Sequence, residues 1–360
     1  MNDSFGSAKD AKSKVIWALL SFVIAGLSIF AVTRAVDGFS FDVVRKLIAG
    51  AHPLWLGAAV LAMLGFVFFE GMAVRTLVMS FGQKLSVRDS FVVSAADIYF
   101  SAITPSATGG QPASAFFMIK YDVPTSCATI SLVFNLALYT AAILIIGVVS
   151  LIAAPSIYML FRPLSRVIIV IGALILIAMG VLFVLLTVKR SFVETFGRII
   201  IGIGCRFRIL KDRMAWNKKL ENWINQYMHY ASSIGGHRAA IAKALVFNIL
   251  QRLCQLSVTM FVYIGVNIGK GILPASKVIY NGARLLGAQS LISIGSTFVP
   301  IPGGMGFTDL MMLDGFANLM PEAEAAGLEL LSRSISFYAC VIICFIVVVA
   351  AFFARRKKDA

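Results

Sequence analysis

Val299–Leu310 reads VPIPGGMGFTDL, and Thr104–Pro112 reads TPSATGGQP. Each interrupts a long apolar run with prolines and glycines. Proline lacks a donor and clashes with the preceding helical turn, while glycine frees the backbone. In a bilayer core such broken backbone survives only where protein or a water-filled cavity satisfies it. Paired interruptions in corresponding places of two halves point to a transporter's binding site. The two stretches therefore predict re-entrant elements, with hairpin breaks at Pro105, Pro112, Pro300, Pro302 and Gly306.

The rest of the chain fits a membrane. Of 360 residues, 59% are hydrophobic and 14% charged, against about a quarter charged in a soluble domain. The net charge of +15 does not call for nucleic acid. Its bases cluster beside apolar runs, where they meet anionic headgroups and set topology. The five cysteines show no CxxC pattern and predict free thiols. The three histidines are scattered, so no metal site and no cofactor are expected.

Working outward, Val15–Val36 is long enough to span and is read as a retained helix rather than a cleaved signal. Val43, Val44, Leu47 and Ile48 suggest a helix on the outer surface. The next span runs from about Leu54 to Phe69 and ends with Glu70 and Arg75. Phe91–Ile103 is too short to span upright and carries Asp97, so residues 87–120 read as a hairpin. Cys127–Ala153 and Val167–Val188 are spans. Residues 189–238 hold ten bases against Glu194, Asp212 and Glu221, a positive-inside signal. Leu220, Trp223, Ile224, Tyr227 and Met228 there suggest an amphipathic helix on the inner leaflet. Ile241–Ile268 spans again, residues 276–320 read as a second hairpin, and Ser334–Phe353 is the last span. Glu322, Glu324 and Glu329 read as an acidic outer loop.

The expected fold is an all-α polytopic integral membrane protein. It has about six transmembrane helices plus two oppositely oriented re-entrant hairpins in an approximate inverted repeat. Its parts are residues 1–188, the cytoplasmic connector 189–238, and residues 239–360. Both termini are expected in the cytoplasm.

TPSATGGQPASAFFMIK, VPIPGGMGFTDLMM and the closing RSISFYACVIIC (Arg333–Cys344) resemble signature segments of the flippase-like domain family, which includes the membrane region of lysylphosphatidylglycerol synthase. The resemblance covers nearly the whole chain. It implies lipid translocation across the bacterial inner membrane, with aminoacylated phosphatidylglycerol or another polar lipid as cargo. Larger relatives add an aminoacyl-transfer domain. None follows in this sequence, so lysyl transfer is not expected.

Candidate site residues follow from the cost of intramembrane charge, about 2.5–3.5 kcal/mol per group on insertion scales. Arg284 is the sharpest, since its arm offers no local acid. It can hold a lipid phosphate, or form a fold-fixing pair with Asp309 or Asp97. Arg333 and Arg75 are further headgroup candidates. So are Gly109, Gly110, Gln111, Gly303 and Gly304, whose free amides suit an anion. Asp97, Asp309 and Glu70 are candidates for charge balance or proton coupling. The plainer readings are N-capping for Asp309 and snorkelling for Glu70 and Arg75. Asn135, Asn248 and Gln251 read as interhelical hydrogen-bond glue.

Walker A, HExxH and GxSxG patterns are absent from the sequence. A flippase is the leading expectation. One rival is an intramembrane enzyme acting on a polyprenyl-linked sugar through Asp309 or Asp314. Another is a non-transporting scaffold for a separate lipid synthase. The large apolar surface leaves room for a homodimer.

Overall fold

A computed structural model describes residues 45, 48–104, 108–206, 213–234, 236–271, 273–297, 299, 306–316 and 320–356. The expected span Val15–Val36, most of the expected surface helix, and Pro105, Pro300, Pro302, Gly303 and Gly304 lie outside them.

The described chain is helical, without a strand. Its helices are α1 Pro53–Ser80, α2 Val87–Ala102, α3 Gly110–Lys120 and α4 Thr125–Ala153, followed by a 3-10 turn at Pro155–Leu160 and α5 Pro163–Val188. Then come α6 Arg190–Arg206, α7 Arg213–Ile234, α8 Arg238–Lys270, α9 Ala275–Ser296 and α10 Phe307–Phe316. The chain closes on α11 Glu322–Arg333, a π-helical stretch Ser334–Ala339 and α12 Cys340–Arg356. Five spans among the described residues are long and apolar enough to cross a membrane, and the last, Ala323–Phe353, runs through the π-helical stretch. The protein is a multi-pass membrane protein.

Local chemistry sets the helix ends. Pro53 opens α1, where its missing donor costs nothing. Ser86 caps α2, accepting from the Asp89 amide at 3.1 Å and donating to its carboxylate at 2.7 Å. Gly271 closes α8 at φ 65°, a left-handed position that suits glycine.

The centre is an antiparallel pair, α1 against α8. Trp55 meets Gly265, Gly65 meets the Cys254 sulfur, and Phe69 stacks on Phe247 at 6.1 Å, so each step forward on α1 is a step back on α8. Lipid offers no hydrophobic drive between helices, so close approach through small residues and side-chain hydrogen bonds takes over. Gly71 shows this: a Cβ there would lie 2.6 Å from the Ser90 carbonyl oxygen of α2.

Helix lengths repeat in order. α1, α2, α3 and α4 have 28, 16, 11 and 29 residues. α8, α9 and α10 have 33, 22 and 10, and the helical run Glu322–Arg356 follows them. α2 packs on α3 and α9 on α10, as hairpin arms do. The last helix of the second run lies on the arms of the first, through Tyr99–Phe345 at 5.2 Å and Lys120 over the Phe352 ring at 4.8 Å. In return, α9 packs into α4 and α5, where Gly147 and Gly172 receive Ile294.

Three expectations change. α9 is 22 residues long, about 33 Å at 1.5 Å per residue, so this arm is longer than a short re-entrant helix. The acidic segment Glu322–Glu329 is not a loop but the start of a membrane helix, and Glu329 is completely buried. Ile224 and Tyr227 do not rest on lipid: they are 1% and 2% exposed and pack against the protein, and the Tyr227 hydroxyl donates to the Leu186 carbonyl at 3.0 Å.

Replacing Gly71 by Ile should destabilise the fold by about 1–3 kcal/mol through overpacking. Gly57→Ala, where nothing lies within 4 Å of the new Cβ, should not destabilise it. Thermal unfolding of the full chain in detergent compares the two.

Candidate functional site

Charged side chains in the bundle gather into two groups. The first is built on α1, α2 and α3. Ser94, Asp97 and Ser101 fall at i, i+3 and i+7, one face of α2. Glu70 of α1 is 8% exposed, and its carboxyl lies beside that of Asp97. The Ser94 hydroxyl donates to the Val67 carbonyl at 2.7 Å and lies 3.4 Å from a Glu70 carboxyl oxygen. Across the break, the Gln111 amide donates to both Asp97 oxygens at 3.2 and 3.3 Å.

Arg252 of α8 is the cation near this group. It is 6% exposed, its guanidinium lies over the Tyr139 ring at 3.7 Å from the centroid, and it donates to Gln255. Its field reaches Glu70, while its Nε has no hydrogen-bond partner among the described residues. Cys340 of α12 closes the group beside Glu70.

The glycines before α3 serve packing. A Cβ on Gly110 would collide with Asp97 Oδ1 and Ser101 Oγ. The Gly109 amide donates to the Thr104 hydroxyl at 2.8 Å, so it is engaged rather than free. Pro112 sits in the first turn of α3, where a missing donor is tolerated.

The second group joins α10 to α11. Asp309 is 2% exposed and pairs with Arg333, which lies 3.4 Å from Glu329 one turn earlier. The other Asp309 oxygen accepts the Gly306 amide at 2.8 Å, which caps α10 at its start. Asp309 is thus both cap and counter-ion. Gly306 has φ 81°, which suits glycine alone.

The two groups sit on one continuous helix. Arg333 ends α11, Cys340 begins α12, and the π-helical turn lies between them. The separation is on the order of 10 Å along the axis. Ser334 is exposed and residues 335–339 are half-buried, with Ile335 packed against the core, so the stretch between the charge groups is only partly covered. π-Helical turns are rare and concentrate at functional places.

The structure does not bring Arg284 to Asp309 or Asp97. Among the described residues it has no ion pair, and its buried Nε has no hydrogen-bond partner. Arg75 is apart from both groups: its Nε donates to the Leu85 carbonyl at 2.9 Å and ties the turn between α1 and α2. Asn248 donates to Asn135 at 3.0 Å, the expected interhelical bond. Sequence reasoning missed Arg252 and Glu329 as site residues. The rule that singled out Arg284, a lone charge inside an apolar run, applies equally to Arg252.

These features define a helical membrane protein with paired buried charge groups at two broken segments. The family described as lysylphosphatidylglycerol synthase TM region matches residues 17–344. The chain belongs to that family, which points to a role connected with membrane lipid. A comparison with curated proteins finds none that matches.

Removing Arg333 would leave Asp309 and Glu329 buried without their cation. Arg333→Ala should cost about 3–5 kcal/mol. Arg333→Leu combined with Asp309→Leu should cost less than the sum of the two single changes. A double-mutant cycle on thermal unfolding measures the difference.

Proposed function

We propose that this protein is a lipid flippase. It moves a phospholipid or aminoacyl-phospholipid headgroup across the bacterial inner membrane through a polar cleft between its two broken segments, while the tails stay in lipid. The observation that carries the reading is the pair of buried charge groups flanking a half-buried π-helical stretch on one helix. Ionisable groups inside a membrane mark substrate and proton pathways.

Each part has a task in this reading. Arg284 and Arg333 attract the phosphate, and Arg284 is the better placed because no described acid neutralises it. Arg333 is already paired with Asp309 and so acts after that pair loosens. Asp97, Glu70 and Asp309 balance a cationic headgroup or carry a proton that drives the cycle. Converting a π turn to α rotates the following helix by about one residue, ~100°, which would shift α12 against the first pair of arms.

The repeated helix order and the antiparallel pairing of α1 with α8 support an inverted repeat, the architecture of rocking-type alternating access. The base-rich connector supports a cytoplasmic placement for residues 189–238 and for both termini. Asp314 lies 3.3 Å from the Arg162 guanidinium and accepts the Arg162 amide at 3.0 Å, which clamps α10 to the start of α5.

The test uses purified full chain in liposomes carrying fluorescent phospholipids, with headgroup accessibility followed from outside. Protein-dependent movement is expected, with near-complete loss in Arg284→Ala at unchanged melting temperature. A pH gradient should change the rate if the acids carry protons. Absence of movement for every headgroup, or wild-type rates in Arg284→Ala, would remove the reading or that residue's role in it.

A further inference from the structure

α6 has three faces. At 100° per residue, Val193, Gly197 and Ile201 share one face, and it packs on α7: Val193 and Ile201 are buried, and a Cβ on Gly197 would lie 2.7 Å from Leu220. Phe192, Phe196, Ile199, Ile200 and Ile203 fall within an arc of roughly 100° and are 40–57% exposed. Ser191, Glu194, Thr195 and Arg198 occupy the remaining side, while Arg190 lies on the α7-facing side.

The exposed apolar arc continues a lipid-facing surface. Val181, Val184 and Val188 of α5 are exposed on the last turns of a membrane span. Lys189 then breaks the helix with extended backbone, φ −101° and ψ 109°, so α6 starts within one turn of the membrane boundary in a new direction. The Tyr227 hydroxyl on the Leu186 carbonyl and the Arg190–Asn225 hydrogen bond at 2.9 Å hold α6 and α7 against that end of the span. Around the arc the charge is mainly positive: ten bases to three acids over residues 189–238.

We infer that α6, and not the more central α7, is an interfacial helix that docks on an anionic phospholipid surface on the connector's side of the membrane. The apolar arc enters the acyl boundary, and Arg198, Arg206 and Lys189 meet phosphate groups. A membrane surface fits better than a protein partner because the arc is continuous with a lipid-facing span and rimmed by bases. The interfacial helix expected from sequence was α7, whose apolar residues the fold uses internally.

The test places a nitroxide at Ile200→Cys in the full chain, with Cys205 and Cys254 changed to Ser, in nanodiscs containing phosphatidylglycerol. A second label at Thr195→Cys reports the polar side. The label at 200 should collide preferentially with oxygen over a water-soluble nickel chelate, and the label at 195 should show the reverse. Spin-labelled phosphatidylglycerol should be immobilised in preference to phosphatidylcholine, and each of Arg198→Gln and Arg206→Gln should reduce that preference up to about fivefold, the factor for one base near an anionic surface. A label at 200 that prefers nickel overturns the inference. So does one shielded from both probes, which would mean a protein-covered face, or equal immobilisation of the two lipids. None of these readouts involves transport, so their failure is separable from failure of the flippase reading.

Discussion

A guanidinium removed from water must find compensating charge or hydrogen bonds, and in this protein that constraint decides which helices meet. Arg333 draws Asp309 from α10 and Glu329 from its own helix into one group. The pairing anchors the short helix after the broken stretch to the closing helix. At the other end of the bundle the buried group is acidic instead, and hydrogen-bond donors compensate it. There Asp97 lies beside Glu70 of α1 and accepts from Gln111 of α3, so the two arms around the first break are joined by hydrogen bonds rather than by apolar contact alone. Ion pairs in a low-dielectric interior give little net stability when complete and are costly when broken. They therefore act mainly as registry devices, favouring one arrangement of the broken segments over its neighbours.

Such groups can form only where backbones come close. Gly110 sits against the Asp97 and Ser101 side chains, Gly71 against the α2 backbone, and Gly172 against the α9 backbone. A side chain at any of these places would push apart helices whose polar groups must lie within hydrogen-bonding distance. Small residues and buried charges are thus one device: the first permits the approach, and the second gives it a unique register. The π-helical stretch lies where the device is interrupted, between two charge groups and without a buried residue of its own. A helix held at two points, with a half-buried π-helical turn between them, is suited to switch between packings.

Legibility differed from residue to residue. The breaks, Asp97, Asp309 and the lone Arg284 stood out because proline, glycine and charge inside apolar runs are rare and costly. Glu70 stood as a charge candidate beside a plainer interfacial reading, and Glu329 was misread as part of an acidic outer loop. Each stands where an apolar run meets charged residues, and linear hydropathy cannot tell a helix end from a helix interior whose charge has a partner on another helix. Arg252 was overlooked among its polar neighbours Asn248 and Gln251, although its isolation from any acid nearby in sequence was visible. α6 carries the stronger apolar periodicity of the two connector helices, but only docking decided which apolar face turned inward.

The sequence by itself determined that this is a helical, multi-pass membrane protein with two broken segments and a basic connector. Length, hydropathy and the backbone chemistry of proline and glycine act locally, so one chain suffices to read them. Tertiary structure alone decided which acid partners which base, that Arg75 ties a turn, that Arg284 has no described counter-ion, and which connector helix presents an apolar face. Those outcomes depend on distances between residues far apart in the chain. Desolvation makes such distances decisive: a few ångströms separate a compensated charge from an exposed or orphaned one.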